Sequence, residues 1–157
     1  MTIQEYQEQA HTFAVYPSHD WFNYCRLGLL SEVGEVAGVL KKQIRGDGLS
    51  TEEFQARLSS EMGDVLWYIA EMATRKDHML QVPAHPPRCT FGMLATHVGL
   101  LQGPVSYSSG EPWWLFRWFL GTVDDFQLYF PDVMEKNIAK LSQRRTYGTI
   151  KGDGDSR

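Results

Sequence analysis

Two stretches of this chain, 29 residues apart, repeat one word, and each copy carries two acids three residues apart. Leu29-Leu30-Ser31-Glu32-Val33-Gly34-Glu35-Val36 reads against Leu58-Ser59-Ser60-Glu61-Met62-Gly63-Asp64-Val65. Five of the eight positions are identical, and Val33/Met62 and Glu35/Asp64 are conservative. A match of that quality at two helix interiors points to a matched pair of helices, although one pair is not a solenoid array. With Leu29 set at zero and about 100° per residue, the apolar stripe Leu29, Val33, Val36, Ala37, Leu40 and Ile44 centres near roughly 45°. Glu32 then falls at about 300° and Glu35 at about 240°, along one flank of the stripe. In the second copy Leu58, Met62, Val65, Leu66, Ile69 and Ala73 form the stripe. Glu61 and Asp64 take the same flank, with Tyr68 between them at about 280°.

Two antiparallel helices joined by a short loop would therefore gather four half-buried carboxylates, and the small residues Gly34, Ala37, Gly38 and Gly63 would let the backbones approach. Such a cluster cannot ionise fully at low cost. Like charges about 4 Å apart repel by about 4 kcal/mol at an effective dielectric near 20, so protons or cations must neutralise them. Four oxygen donors suit Mg²⁺ or Mn²⁺ and disfavour zinc. A solvated acidic face paired with Lys41, Lys42 or Arg57 explains one Glu-x-x-Glu better than it explains two matched copies. A di-iron carboxylate bundle needs Glu-x-x-His on two helices, and the one such spacing, Glu8 to His11, lies outside the repeat.

The rest of the chain reads as helices separated by breakers. A first helix is expected over Thr2 to Val15, with Thr2 and Glu5 as a capping box, ended by Tyr16-Pro17. The first acidic helix runs from Asp20 or Trp21 to Arg45 and stops at Gly46-Asp47-Gly48. Ser50 or Thr51 caps the second, which continues to Thr74. A Pro-rich loop covers Gln81 to Arg88. Helices follow over Phe91 to Gln102 and Glu111 to Tyr129, with a Gly/Ser-rich loop at Gly103 to Gly110 between them. A last helix starts at Pro131 or Asp132 and reaches Arg145. With no Val/Ile-rich alternating strands, the fold class is all-α, a helical bundle in one domain spanning 1–157. The stretch 76–126 is a helical insertion, and the tail from Gly148 to Arg157 is expected to be mobile alone.

A formal net charge of −4 gives no broad basic surface for nucleic acid. No apolar run reaches about 18 residues and no signal peptide is visible, so a soluble, cytoplasmic protein with no membrane contact is expected. Cys25 and Cys89, far apart and outside any Cys-x-x-Cys spacing, are expected as free thiols.

At the acidic repeat the sequence resembles the MazG-like all-α nucleoside triphosphate pyrophosphohydrolases, whose signature is Glu-x-x-Glu, a spacer, then Glu-x-x-Asp. The likeness extends through Gly28 to Ala37 and Glu61 to Tyr68, and resumes at Asn137-Ile138-Ala139-Lys140-Leu141-Ser142-Gln143-Arg144-Arg145. It implies hydrolysis of an NTP or dNTP between the α and β phosphates to NMP and pyrophosphate, for pool cleansing or nucleotide supply. It also implies two or more Mg²⁺ ions, or Mn²⁺, on Glu32, Glu35, Glu61 and Asp64; a spare carboxylate oxygen there, of Glu32 or Glu35, could take the proton of the attacking water. By the same resemblance Asn137, Lys140 and Arg144, spaced along one helical face, would meet the phosphates, and Tyr68 would line the nucleotide. Trp21 and Phe22, at the entry to the first acidic helix, are candidates for stacking on the base, and Lys151 and Arg157 could fold over the phosphates. Relatives form homodimers or homotetramers.

The sequence departs from that pattern at the insertion. Its segment Trp113-Trp114-Leu115-Phe116-Arg117-Trp118-Phe119-Leu120 is apolar around most of a helix, which suggests a dimer contact or a pocket wall. Two other readings compete: a non-catalytic helical oligomer or adaptor with a structural cation, and a dUTP- or dCTP-preferring relative.

Overall fold

The computed structural model describes residues 1–102 and 111–150. Every regular element among the described residues is helical: α1 (Ile3–His11), a 3₁₀ turn (Ser18–Asp20), α2 (Trp21–Arg45), α3 (Thr51–Arg75), α4 (Phe91–Leu100), α5 (Glu111–Asp125) and α6 (Phe130–Thr146). The protein is an all-α bundle.

Local chemistry sets the boundaries. The Thr2 hydroxyl accepts from the Glu5 N–H while the Glu5 carboxylate accepts from the Thr2 N–H, and Ser50 and Glu53 repeat the arrangement at the start of α3. Gly46, at φ 77°, closes α2 in the left-handed conformation open to glycine. α1 ends earlier than its periodicity predicts. The N–H groups of Thr12, Phe13 and Ala14 each bond three residues back, so the turn tightens and unwinds before Pro17. α5 likewise stops at Asp125 rather than Tyr129. Gln127 turns left-handed at φ 56° and the Leu128 N–H returns to the Val123 carbonyl, a Schellman stop without glycine.

α2 and α3 are 25 residues each, about 37 Å long at 1.5 Å per residue. They form an antiparallel hairpin with the most extensive helix contact in the fold. Leu29, Val33 and Val36 meet Leu58, Met62, Val65, Leu66 and Ile69 in the core, where each such side chain contributes roughly 1.5–3 kcal/mol relative to exposure. α3 is the central element and also packs against α1, α5 and α6. Two members of the expected α2 stripe face away: Ile44 is 89% exposed and Ala37 is exposed. Both lie on the far side of the buried row Cys25, Leu29, Val33, Val36 and Val39, which is rotated toward Glu32 from the expected centre of the stripe.

The small residues also act differently from expectation. Gly34 and Gly38 face open space, so they do not set the α2–α3 distance. Among the glycines of α2 and α3, the close approaches are made by Gly28, where a Cβ would lie 2.2 Å from the Tyr68 ring, and by Gly63, where it would lie 2.9 Å from Cβ of Asn137. One glycine therefore seats an aromatic ring and the other seats α6.

α4 and α5, in the stretch expected as an insertion, join the core. α4 packs against α2 and α5, and α5 against α3, burying Leu94, Val98, Leu115, Phe116, Phe119, Leu120 and Val123. Trp114, 57% exposed, is the outward side of α5. Among the described residues no α5 side chain lines the main cleft described below, while Trp113 lines a smaller one with Asp77 to Gln81. The tail, expected to be mobile from Gly148, is tied down to Ile150. The Thr149 N–H bonds the Arg144 carbonyl at 2.9 Å, and Ile150 packs on the core. Lys151 and Arg157, and the loop expected at 103–110, lie outside the described residues. Cys25 and Cys89 are buried free thiols. Among the described residues, no helix is long and apolar enough to cross a membrane.

Candidate active site

The acid flank of the α2–α3 hairpin opens into a cleft of about 1180 Å³. Glu32 from α2 and Glu61 and Asp64 from α3 each present one carboxylate oxygen, and the three oxygens lie within 4.8 Å of one another. Glu35, one turn further along α2, is exposed and stands at the edge of the same cleft, outside that trio. The structure thus brings three of the four expected ligands to one point and leaves the fourth within electrostatic reach.

Burial and mutual repulsion show in the protonation equilibria. Glu32 is pushed up to about 8, first by burial and then by Asp64, Glu35 and Glu61, with Lys140 opposing. Glu61 is also raised, chiefly by burial, again with Lys140 opposing. The donor set fits a hard divalent cation: all oxygens, clustered and half-buried.

Glu32 gives a signed prediction. Its folded-state pKa lies above the ordinary 4.5, so between those values the folded chain holds a proton that the unfolded chain has lost. Metal-free stability therefore falls as pH rises from about 5 to 9, by up to roughly 5 kcal/mol at about 1.4 kcal/mol per unit. Near pH 7 a carboxyl of pKa about 8 is about nine-tenths protonated, so Mg²⁺ binding should release close to one proton. Calorimetry in buffers of different ionisation enthalpy measures that release, and Glu32→Gln should remove most of it. Equal heats in all buffers for the parent protein would show that Glu32 is already ionised.

α6 supplies the cations and a buried amide. Asn137, 2% exposed, accepts from the Tyr6 hydroxyl at 2.8 Å through Oδ1 and donates to Asp64 Oδ1 at 2.9 Å through Nδ2. Lys140 Nζ donates to Asp64 Oδ2 at 2.5 Å and to the Ser60 hydroxyl at 3.0 Å. Burial and Asp64 raise the Tyr6 hydroxyl well above its usual range, which keeps it a donor. Both polar ends of the Asn137 amide are engaged inside the protein, so Asn137 orients Asp64 and does not itself face the cleft. Arg144, two turns after Asn137, does line the cleft.

The aromatic residues divide differently from expectation. Tyr68 lines the cleft, its ring seated over Gly28. Trp21 and Phe22 do not. Trp21 lies under the Arg75 guanidinium at 5.8 Å and Phe22 under the Lys76 ammonium at 6.0 Å, beyond the end of the cleft. Tyr24 takes their place, 6.1 Å from Tyr68 with Trp67 against the Tyr68 ring, which makes this end of the cleft aromatic, and Phe13 and Val15 also line the cleft. At the other end stand Lys42 and Arg57, which the sequence reading weighed only as ion-pair partners for the acids. The helical count carried a signal for all three: Tyr24 and Lys42 fall at about 220° and Arg57 at about 260°, on the acid flank extended in both directions.

No family model matches the chain, and no solved structure matches it. The chain is similar along its whole length to the Gene 37 protein of Mycobacterium phage L5, at 26% identity over 164 aligned residues covering 100% of both proteins.

Proposed function

We propose that the protein is a metal-dependent nucleoside triphosphate pyrophosphohydrolase, cleaving between the α and β phosphates to give NMP and pyrophosphate. One observation carries this reading: the three-acid cluster shares one cleft with Tyr24 and Tyr68, 6.1 Å apart on one side of the acids along the antiparallel hairpin, and with Lys42 and Arg57 on the other side along it. A nucleoside triphosphate has the same order of parts, a flat ring, a metal-binding phosphate chain and a terminal anion. The resemblance of both acidic words to the MazG-like signature supports it further.

Glu32, Glu61 and Asp64, with Glu35 at the edge, would hold Mg²⁺ or Mn²⁺. Ions there supply neutralisation of the phosphate charge and activation of water for attack at the α phosphorus. The chain's own groups do the rest. Asn137 and Lys140 fix both oxygens of Asp64, so the central acid keeps one rotamer while ligands exchange. Glu32 or Glu35 takes the proton of the attacking water. Arg144, Arg57 and Lys42 receive the leaving pyrophosphate, with the guanidinium forks suited to phosphate oxygens.

The test is a panel of NTPs and dNTPs with Mg²⁺ or Mn²⁺, scoring pyrophosphate against orthophosphate. Pyrophosphate and NMP in equal amounts are expected. Release of orthophosphate alone, or no turnover with any nucleotide and either metal, would overturn the proposal.

A further inference from the structure

Among the described residues the one fully buried acid is Glu71, which is 0% exposed. One oxygen accepts from the Tyr16 hydroxyl, and the other meets Nδ1 of His11 at 2.8 Å. Glu71 is the middle strap of three spaced four residues apart on α3. Trp67 Nε1 donates to the Ala10 carbonyl at 3.0 Å, and Arg75 donates to the carbonyl and hydroxyl of Ser18 at 2.9 Å each. Together they pin the end of α1 and the connection that follows it. That connection carries Phe13 and Val15 into the cleft.

The Tyr16 ring, held by Glu71, stacks on Tyr24 with centroids 4.5 Å apart, and Tyr24 lies 6.1 Å from Tyr68. Tyr24 and Tyr68 both face the cleft, whereas Tyr16 and Glu71 do not line it. Apolar residues Ile69, Ala70, Met72 and Ala73 surround Glu71 in sequence and are buried, so a carboxylate here needs a reason beyond filling space.

We propose that Glu71 is a positioning residue for recognition of the substrate's ring. Through the Tyr16 hydroxyl it fixes the Tyr16–Tyr24 stack, which holds Tyr24 as a wall against a planar heteroaromatic group at the apolar end of the cleft. Burial and the Glu71 carboxylate raise the Tyr16 hydroxyl, so it remains the donor in this pair. The inference rests on the nucleotide reading above, and it concerns ring recognition and not bond cleavage.

Two ligands separate these roles: the Mg²⁺ complexes of the α,β-imido deoxynucleoside triphosphates, and of inorganic tripolyphosphate, which lacks the ring. Tyr16→Phe keeps the ring and deletes the hydroxyl. It should weaken binding of the best imido nucleotide by about tenfold, the scale of one charge-assisted hydrogen bond, and leave tripolyphosphate within about twofold. Glu71→Met should act alike, the double variant should be no weaker than the worse single one, and Glu71→Gln, still an acceptor for Tyr16, should restore most of the affinity. Where turnover is measured, the change should fall in KM and not in kcat. Should Glu71→Met not fold, Tyr16→Phe alone carries the test.

Equal losses for both ligands, or no loss for either, would overturn the inference and leave the hydrolysis reading standing. A ring-selective loss in a protein that releases no pyrophosphate would uphold the inference and overturn hydrolysis. If the parent protein binds neither ligand, both fall.

Discussion

Glu61→Ala is expected to lower Mg²⁺-dependent pyrophosphate release by roughly 10³-fold or more, about 4 kcal/mol of lost transition-state stabilisation. The metal-free fold should nevertheless be at least as stable as the parent. The two effects have one origin. Glu61 is half-buried, its carboxyl raised by burial and by Asp64 and Glu35. In the absence of a cation it therefore adds repulsion to the folded state, and deleting it relieves that repulsion. With a cation present the same oxygen is one of three within 4.8 Å of one another, and its loss opens the ligand set. Glu52→Ala, on the exposed first turn of the same helix, is the control and should change neither property. The measurements are pyrophosphate release and thermal unfolding with and without Mg²⁺. Retained activity in Glu61→Ala would remove the metal assignment, and a large loss of metal-free stability would show that Glu61 is structural.

The acid cluster was legible because helical periodicity and the repeat act at short range. A flank position follows from counting residues, and tertiary packing had only to bring two flanks together. The same count, carried a few turns outward, also reaches Tyr24, Lys42 and Arg57. Other features depend on partners that no local pattern identifies. Gly28 and Gly63 are required by a ring and by a helix that approach from elsewhere, while Gly34 and Gly38, which look equally suited to close packing, meet nothing. Trp21 sits near the acid flank by angle but one turn too far along, where Arg75 covers it. Glu71 left a faint trace as one acid inside an apolar run. Its meaning comes from Tyr16 and His11, 55 and 60 residues away in sequence. α4 and α5 are legible as helices, but the placement of α5 against α3 is a long-range fact.

The buried amide of Asn137 allows stability and activity to be separated. Asn137→Leu should lower stability by about 1–3 kcal/mol, because the fully buried Tyr6 hydroxyl loses its acceptor and has no water to replace it. It should also lower turnover by roughly 10- to 100-fold, the usual scale for removing a group that orients a metal ligand, since Asp64 would lose its amide donor and keep only Lys140 and its own rotamer preference. Adding Tyr6→Phe removes the orphaned hydroxyl. Replacing both partners of a buried hydrogen bond by apolar groups is nearly neutral, so the double variant should regain most of the lost stability. It should regain none of the turnover, because Asp64 is still unsupported on that side. Denaturant unfolding and steady-state kinetics on the parent, the two single variants and the double variant make the comparison. Tyr6→Phe alone leaves the Asn137–Asp64 bond in place and should retain most of the activity. If turnover instead rises and falls with stability across the four proteins, Asn137 serves only the packing of α6 on α3. If it tracks the Asp64 contact, the amide belongs to the site.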